Sequence, residues 1–268
     1  GGGSQQVITE VGDEVPMTDV TDERFGINLE LVRKISHHTL SGKLSVSTER
    51  DYDSFGVALS DGIGFYDRNT VLNVGLAYTH DIIDASAAPT PVQDSKDTTE
   101  VFLGVTQTLD VKTLLTANVS AGFIRGALSD PYKVVELNGE FVSEARPDTK
   151  TKYALYLALT RNLPALNAAI EGSYRLYNDT FDITGHTIAL AWFQELGGGF
   201  ILRPIVRLHD QTAADFYAVR FEGSPQFYSS DYRVSGLTAL SYGLKLVWKS
   251  SERLSVDAGY ERYVQEGK

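Results

Sequence analysis

The sequence predicts an all-β protein: an antiparallel up-and-down transmembrane β-barrel of at least twelve strands, about 12–14 in all. Segments of roughly ten residues alternate apolar with polar or small side chains. In residues 70–78, Leu72, Val74 and Leu76 alternate with Asn73 and Gly75. Side chains of a strand change faces at every residue, so each segment has one apolar and one polar face. Such segments joined by alternating short turns and long polar loops are typical of outer-membrane barrels.

The connections between these segments predict the orientation of the barrel. Very short turns rich in Asn, Asp, Gly or Pro follow every odd-numbered strand, and these residues suit tight hairpins. Longer connections follow the other strands, at 83–97, 126–150, 178–184 and 210–231. In outer-membrane barrels the short turns are periplasmic and the long loops extracellular. We predict strands near 25–34, 40–50, 54–66, 70–82, 98–109, 113–125, 151–162, 167–177, 185–195, 199–209, 232–248 and 254–264.

Aromatic residues give a second indication of the membrane position, because Trp and Tyr are enriched at both membrane–water interfaces. In the predicted strands they gather towards two levels, as two girdles would. The short-turn level holds Phe65, Tyr66, Trp192, Phe193, Phe200 and Trp248. The long-loop level holds Phe55, Tyr78, Phe123, Tyr153, Tyr174, Tyr177, Tyr232, Tyr260 and Tyr263.

The alternation also separates a lipid-facing wall from a lumen. The predicted wall includes Leu72, Val74, Leu115, Val119, Leu155, Leu157, Ile188, Leu190, Leu240 and Leu244. Charged side chains fall on the opposite face and are predicted to line the lumen: Glu30, Glu171, Arg175, Arg203, Arg207, Lys245, Asp257 and Glu261. These charges either pair across a narrow lumen and stabilise it, or form a selective constriction or binding site. Asp61 is an exception on the apolar face, and a β-bulge that resets the register would explain it.

Composition limits the possible functions. The 268 residues contain no cysteine, which excludes disulfides, thiolate metal sites and cysteine nucleophiles. The net charge of −11 argues against a nucleic-acid partner. We predict a linker or loop over residues 1–23, with a short strand at 6–11, and one barrel domain over 24–268. The start at Gly1 resembles a linker or a processed end, and it carries no signal peptide, which an exported barrel requires.

An enzyme is the alternative interpretation of the predicted extracellular rim. Asp51, Asp53, the pair His80 and Asp81, and the pair His209 and Asp210 all fall there. Carboxylates near histidines can activate water for hydrolysis, although acids and histidines at a rim are also commonly just solvated. The adjacent His37 and His38 lack a third ligand for a metal. We therefore predict no catalytic residues, no metal site and no cofactor.

Several strings resemble a family of Gram-negative outer-membrane β-barrels of unassigned function. They are SVSTERDYDS at 45–54, NT at 69–70, YTHD at 78–81, SDPY at 129–132, RPD at 146–148, AADFY at 213–217 and YSSDYR at 228–233. The resemblance covers roughly residues 40–263 and implies a barrel in the outer membrane. It also implies a periplasmic redox or flavinylation context, because family members resemble products of gene clusters that carry a thioredoxin-like protein, a small lipoprotein and a flavin-attaching transferase.

This chain departs from that family at both ends. Members usually have more strand sequence before the position of Phe25, and their last strand ends in an aromatic residue, whereas here Tyr263 is followed by VQEGK. Either both ends are truncated or this member closes its barrel differently.

The predicted function is a porin-like channel in the bacterial outer membrane, or a scaffold there that docks a periplasmic or cell-surface protein. The predicted partners are the lipid bilayer and such a protein, and a rim hydrolase is the alternative.

Overall fold

A computed structural model of the protein describes residues 23–86, 88, 90–251 and 254–268. The linker predicted over residues 1–23 and the strand predicted at 6–11 lie, except for Glu23, outside the described residues. No helix in the described part of the chain is long and apolar enough to cross a membrane.

Twelve strands form a single antiparallel sheet. Each of them pairs with the next of the twelve along the chain. They are β1 (Phe25–Ile35), β2 (His38–Thr48), β3 (Tyr52–Phe65), β4 (Thr70–Ala85), β5 (Val92–Asp110), β6 (Thr113–Gly126), β9 (Thr149–Leu163), β10 (Ala168–Asp179), β11 (Thr184–Gly197), β12 (Phe200–Gln211), β14 (Leu237–Lys249) and β15 (Ser255–Gly267). The short strands β7 (Val134–Leu137), β8 (Glu140–Ser143) and β13 (Arg220–Phe221) form a second, three-stranded sheet. Two 3₁₀ turns lie at Pro164–Leu166 and Tyr232–Val234.

The up-and-down order of the sheet follows from the tight turns at one end. Ser36, Asp67 and Asn167 adopt positive φ in these turns, a conformation that short polar residues tolerate. Gly199 must be glycine, because its φ is +81° and a Cβ there would lie 2.2 Å from the carbonyl oxygen of Lys249. Within the described residues β1 pairs only with β2, and β15 pairs only with β14.

All twelve predicted barrel strands are confirmed, but two boundaries were wrong. β5 begins at Val92 rather than near 98, because β4 and β5 stay paired well beyond the apolar segment, out to Ala85 opposite Val92. The connection predicted at 83–97 is therefore short. The strand predicted from 232 begins at Leu237, and Tyr232–Val234 forms a 3₁₀ turn instead.

The pairing register divides the sheet into two faces, since directly paired residues point to the same side. Leu72 pairs with Val105, Leu115 with Leu159, and Ile188 with Tyr174. We call this side the apolar face. All ten residues predicted for the lipid-facing wall lie on it: Leu72, Val74, Leu115, Val119, Leu155, Leu157, Ile188, Leu190, Leu240 and Leu244.

Most of the predicted aromatic girdle residues also lie on the apolar face. Trp192 and Trp248 both lie near the short-turn end, and Trp248 stacks on Phe200 with 6.0 Å between ring centroids. Five of the predicted residues do not lie on the apolar face. Phe193, Tyr177 and Tyr263 lie on the opposite face, which we call the polar face, and Tyr66 and Tyr232 lie outside the sheet.

The bulge proposed at Asp61 is wrong. The registers of β3 with β2 and with β4 run through this residue without a shift, so Asp61 lies on the apolar face opposite Leu40 and Val74. His38 of β2 reaches it diagonally, with 2.6 Å between Nδ1 and a carboxylate oxygen. The other carboxylate oxygen of Asp61 is buried without a hydrogen bond. A polar pair, rather than a change of register, accommodates the acid.

We expect Leu157→Arg to destabilise the protein by about 2–4 kcal/mol, because it places a charge on the lipid-facing side near mid-membrane. Ser173→Arg is the matched control, since Ser173 lies on the polar face one strand away. Urea titrations of both variants in lipid vesicles measure the free energies of unfolding. Equal losses in the two variants would contradict the assignment of the faces.

The pair between His38 and Asp61 generates a double-mutant prediction. His38→Leu leaves the carboxylate of Asp61 on the apolar face without its partner, and should cost about 1–3 kcal/mol. The double variant His38→Leu/Asp61→Leu removes both polar groups and should recover most of that loss. Unfolding free energies of the two variants and of Asp61→Leu give the coupling, and an additive pair would show that the contact stabilises nothing.

Candidate functional site

The polar face of the sheet contains all eight charged residues predicted to line the lumen: Glu30, Glu171, Arg175, Arg203, Arg207, Lys245, Asp257 and Glu261. They alternate along their strands with residues of the apolar face. They share the polar face because side chains along a strand alternate between its two faces at every residue.

Four of these eight residues form ion pairs. Lys245 Nζ lies 2.6 Å from Asp257, and Arg207 lies 3.5 Å from Glu261 across the intervening strand β14. Both pairs are about half exposed, so each adds little to stability. The small side chain of Ser241, which pairs with Arg207 in the register, occupies β14 between the partners of the longer pair.

The remaining four contact other groups. Glu30 accepts a hydrogen bond from Ser41 at 2.9 Å, and Glu171 accepts one from Thr160 at 3.1 Å. The guanidinium of Arg203 lies 4.7 Å from the ring centroid of Phe193, a cation–π contact. Arg175 lies similarly over the polar-face Tyr177. The structure thus pairs four of the eight and gives the other four hydroxyl or aromatic partners.

Sequence reasoning missed a second group of charges on the polar face, close to the long-loop end. They are Asp81, Lys96, Glu100, Lys150, Lys152 and Asp179. Lys96, Lys150 and Asp179 fall in predicted connections, because their segments are polar on both faces and resemble loops. Asp81, Glu100 and Lys152 fall inside predicted strands, and of these only Asp81 was considered, as a rim acid. The available signal was the period of two: Lys96, Thr98 and Glu100 occupy one face of the strand, and the apolar Val101 and Leu103 that follow occupy the other.

Loops at the long-loop end of the sheet pack together above this group. We define the loop cap as residues 127–148 and 212–236. Its core contains Ala214, Phe216 and Val234, packed with Phe181 and Ile183 from the β10–β11 connection. The rings of Phe181 and Phe216 meet edge to face with 4.9 Å between centroids. The cap is therefore a folded layer with its own apolar core and its own three-stranded sheet.

Buried charges tie the two halves of the loop cap together. Arg146 donates to Asp231 at 2.7 Å and to Glu144 at 2.9 Å, and both carboxylates are fully buried. Ser229 also donates to Glu144, at 2.6 Å. Arg233 contacts Asp231 as well, through Nε at 2.6 Å. Burial alone would raise the pKa of Asp231, but hydrogen bonds from Arg233 and Arg146 outweigh it and lower the pKa to about 2.

A further contact fastens the cap to the rim of the barrel. The hydroxyl of Tyr132 donates to the carboxylate of Asp51, at the β2–β3 connection. Burial, together with this hydrogen bond, raises the pKa of Tyr132 to about 12. The phenol therefore remains a donor at neutral pH.

Between the cap and the sheet lies a cavity of about 380 Å³. Its floor is the polar face of four adjacent strands, β4, β5, β6 and β9, and includes Lys96, Lys150 and Lys152. Its roof consists of Arg146, Leu128 and Phe181. The cavity therefore lies at the long-loop end of the barrel, between its wall and the cap.

The residues proposed for a rim hydrolase contact separate partners. His209 lies on the polar face, 2.9 Å from Thr187, whereas Asp210 points to the other face and accepts from Thr238 at 2.8 Å. Asp81 pairs with Lys96 at 3.2 Å on the polar face.

The other candidates for catalysis or metal binding are equally dispersed. Asp53 accepts a hydrogen bond from Thr48, and His80 contacts Asp97 at 2.8 Å on the apolar face. His38 is occupied by Asp61. Among the described residues, no group of three or more His, Asp or Glu side chains could hold a metal ion.

Comparison with known proteins agrees with this architecture. The model of the family described as "Protein of unknown function (DUF3570)" matches residues 2–268. CdiB from Acinetobacter baumannii is similar in structure, with 12% identity and a TM-score of 0.52, over 88% of this chain and 46% of CdiB. This likeness shows the fold, that of a transmembrane β-barrel.

Two further solved structures are more distant. The anion-selective porin from Comamonas acidovorans has 10% identity and a TM-score of 0.46, over 90% of this chain and 59% of the porin. The TodX deltaS2S3 mutant monoaromatic hydrocarbon channel has 12% identity and a TM-score of 0.48, over 91% and 75%. The chain spans about half the length of CdiB and under two thirds of the porin. No curated protein matches the chain.

The buried carboxylate of Asp231 predicts an acid-sensitive cap. Its folded-state pKa of about 2 lies below the ordinary aspartate pKa of 3.8, so its stabilising contribution is present above pH 4 and is lost as the pH falls towards 2. Hydrogen exchange of cap amides, corrected for the intrinsic rate, should accelerate over that interval. At neutral pH, Asp231→Asn should accelerate it likewise, whereas Asp215→Asn, at an exposed cap acid, should not. Unchanged protection in Asp231→Asn would refute the role of the carboxylate.

Proposed function

The chain belongs to the DUF3570 family, and we propose that it is a porin-like channel of the bacterial outer membrane whose extracellular mouth is narrowed by the loop cap. The family description assigns no function, so the proposal depends on the fold and on the chemistry of the polar face.

The observation that carries the proposal is the charged polar face. A lumen that only had to be filled could be packed with apolar side chains, as the interiors of small barrels are. Here the ion pairs Lys245 with Asp257 and Arg207 with Glu261 remain about half exposed. Exposed charges of both signs are suited to a wetted path, because water and mobile ions can solvate them. We propose that all eight predicted residues line the lumen of this channel.

The opposite face supports a lipid environment. Leucine, isoleucine and valine side chains cover it, and many are substantially exposed; Leu190, for example, is 47% exposed. Exposed apolar area on this scale is costly in water and favourable in a bilayer. The outer membrane is the natural site, because the structurally similar CdiB has a barrel of that class.

A plugged scaffold is the second candidate. The loop cap has its own core and buried ion pairs, and it displays exposed apolar side chains, including Phe141 at 54% and Val219 at 58%. Such side chains on an ordered platform suit contact with another protein. The redox or flavinylation context implied by the family resemblance would concern a periplasmic partner at the opposite, short-turn end.

Planar-bilayer recordings distinguish the two candidates. For the channel we expect discrete single-channel steps, small because the cap and the charged side chains narrow the path. Asp231→Asn, which weakens the tie between the two halves of the cap, should increase the conductance or the frequency of opening, while Asp215→Asn should behave like the unmodified protein. The absence of steady steps in all three proteins would remove the channel and favour the scaffold.

A further inference from the structure

We propose that the cavity between the loop cap and the sheet binds a small solute that carries an oxyanion group, a carboxylate or a phosphate. The inference deepens the proposed function, since it names the class of solute, and it rests on the proposed channel only for the route by which the solute arrives.

Cationic side chains outnumber carboxylates among the residues that line the cavity. Lys96, Lys150, Lys152 and Arg146 all line it, against two lining carboxylates, Asp81 and Glu100. They come from β5, from β9 and from the cap, so the cations converge from floor and roof. A chain with a net charge of −11 has no general excess of cations that would produce this arrangement by chance.

The carboxylate partners of Lys150 and Lys96 are less accessible than the lysines themselves. Lys150 pairs with Asp179 at 2.7 Å, and Asp179 has no exposed side-chain area while Lys150 is 17% exposed. Lys96 is likewise more accessible than its partner Asp81. Asp179 therefore neutralises Lys150 without lining the cavity, whereas Asp81 lines it beside Lys96, and in both pairs the lysine is the more accessible partner. Of the lysine partners only Glu100, held by Lys152 at 2.6 Å, is itself widely accessible.

The ammonium groups of Lys150 and Lys152 retain unused hydrogen-bonding capacity. An ammonium group has three donors, and Lys150 and Lys152 each have one carboxylate partner among the described contacts. The ammonium of Lys150 also lies 4.6 Å from the ring centroid of Phe181, which positions it without using a directed donor. An oxyanion entering the cavity can therefore accept hydrogen bonds without breaking the existing pairs.

The shape of β6 shows how the floor is opened. Gly122 and Gly126 occupy its polar face between Lys96 on β5 and the two lysines on β9. A Cβ at Gly122 would lie 2.4 Å from Lys152 Cε, because the lysine crosses β6 at this point to reach Glu100. Glycine at position 122 therefore leaves room for the Lys152 side chain to cross β6 and pair with Glu100.

The size and charge balance of the site define the ligand. A cavity of about 380 Å³ is at the small end of ligand sites, so it suits a compact solute rather than a polymer. Because the paired acids nearly cancel the charge of the cations at a distance, the attraction acts by contact and should resist screening by salt. An ammonium group is a point charge that donates hydrogen bonds in no fixed plane, so it suits the oxygen geometry of a carboxylate and of a phosphate alike.

Isothermal titration calorimetry on the full chain in detergent micelles tests the proposal at physiological ionic strength. Inorganic phosphate or succinate should bind, and ribitol and choline should not. Lys152→Met should weaken the binding about tenfold, the loss of one charged hydrogen bond, and Lys152→Arg should retain most of it. Lys112→Met, in a turn at the opposite end of the barrel, is the matched control and should leave binding unchanged.

A second variant guards against a folding defect. Lys150→Met/Asp179→Asn removes the ammonium together with the charge of its buried partner, and heat-modifiable mobility on gels verifies that the barrel is folded. Weaker binding in this folded variant supports the site. Failure of both anions to bind the unmodified protein, equal binding of choline, or an equal loss in Lys112→Met would overturn it. Anion binding without conductance would refute only the channel, and conductance without anion binding would refute only this site.

Discussion

The requirement that every backbone N–H and C=O group in a bilayer be hydrogen-bonded governs this structure. Lipid offers no alternative partner, so each membrane-spanning segment must be paired along its length with a neighbouring strand. The pairings from β1 to β15 meet this requirement over most of the sheet, and their registers shift only near the short turns, between Thr108 and Asp110 in β5 and between Glu195 and Gly197 in β11. Pairing along the whole length also makes the two faces strictly alternate. The apolar face and the charged polar face are therefore two consequences of one hydrogen-bonding pattern.

The same constraint explains the treatment of polar residues on each face. On the apolar face, Asp61 retains its position in the register and is accommodated by His38, because slipping β3 by one residue would place its whole apolar set on the wrong side. On the polar face, charges find partners one or two strands away, as Arg207 does with Glu261. Local pairing solves the electrostatic problem in both places, and the backbone register is preserved.

The sequence predicted the elements that depend on this period of two. The eight predicted polar-face charges and the ten wall residues share faces as expected, because a single registration error would have moved a whole strand. The prediction was weaker where the strands leave the bilayer. Around Lys96 and Asp81 both faces are polar, so alternation in hydrophobicity disappears although the pairing continues. The loop cap was not predicted at all, because contacts such as Arg146 with Asp231 join residues 85 positions apart and leave no periodic trace.

That separation has a consequence for how the molecule assembles. Most of the sheet can form by adding each strand to the one before it, with short loops to close. The cap cannot, because Arg146 meets Asp231 only after β9 to β12 have been placed between them in the chain. Until then Glu144 and Arg146 lack Ser229 and Asp231, and the apolar residues Phe181 and Phe216 lie apart. Closure of the cap is therefore a late folding event, and a protected cap reports that most of the barrel beneath it has been completed.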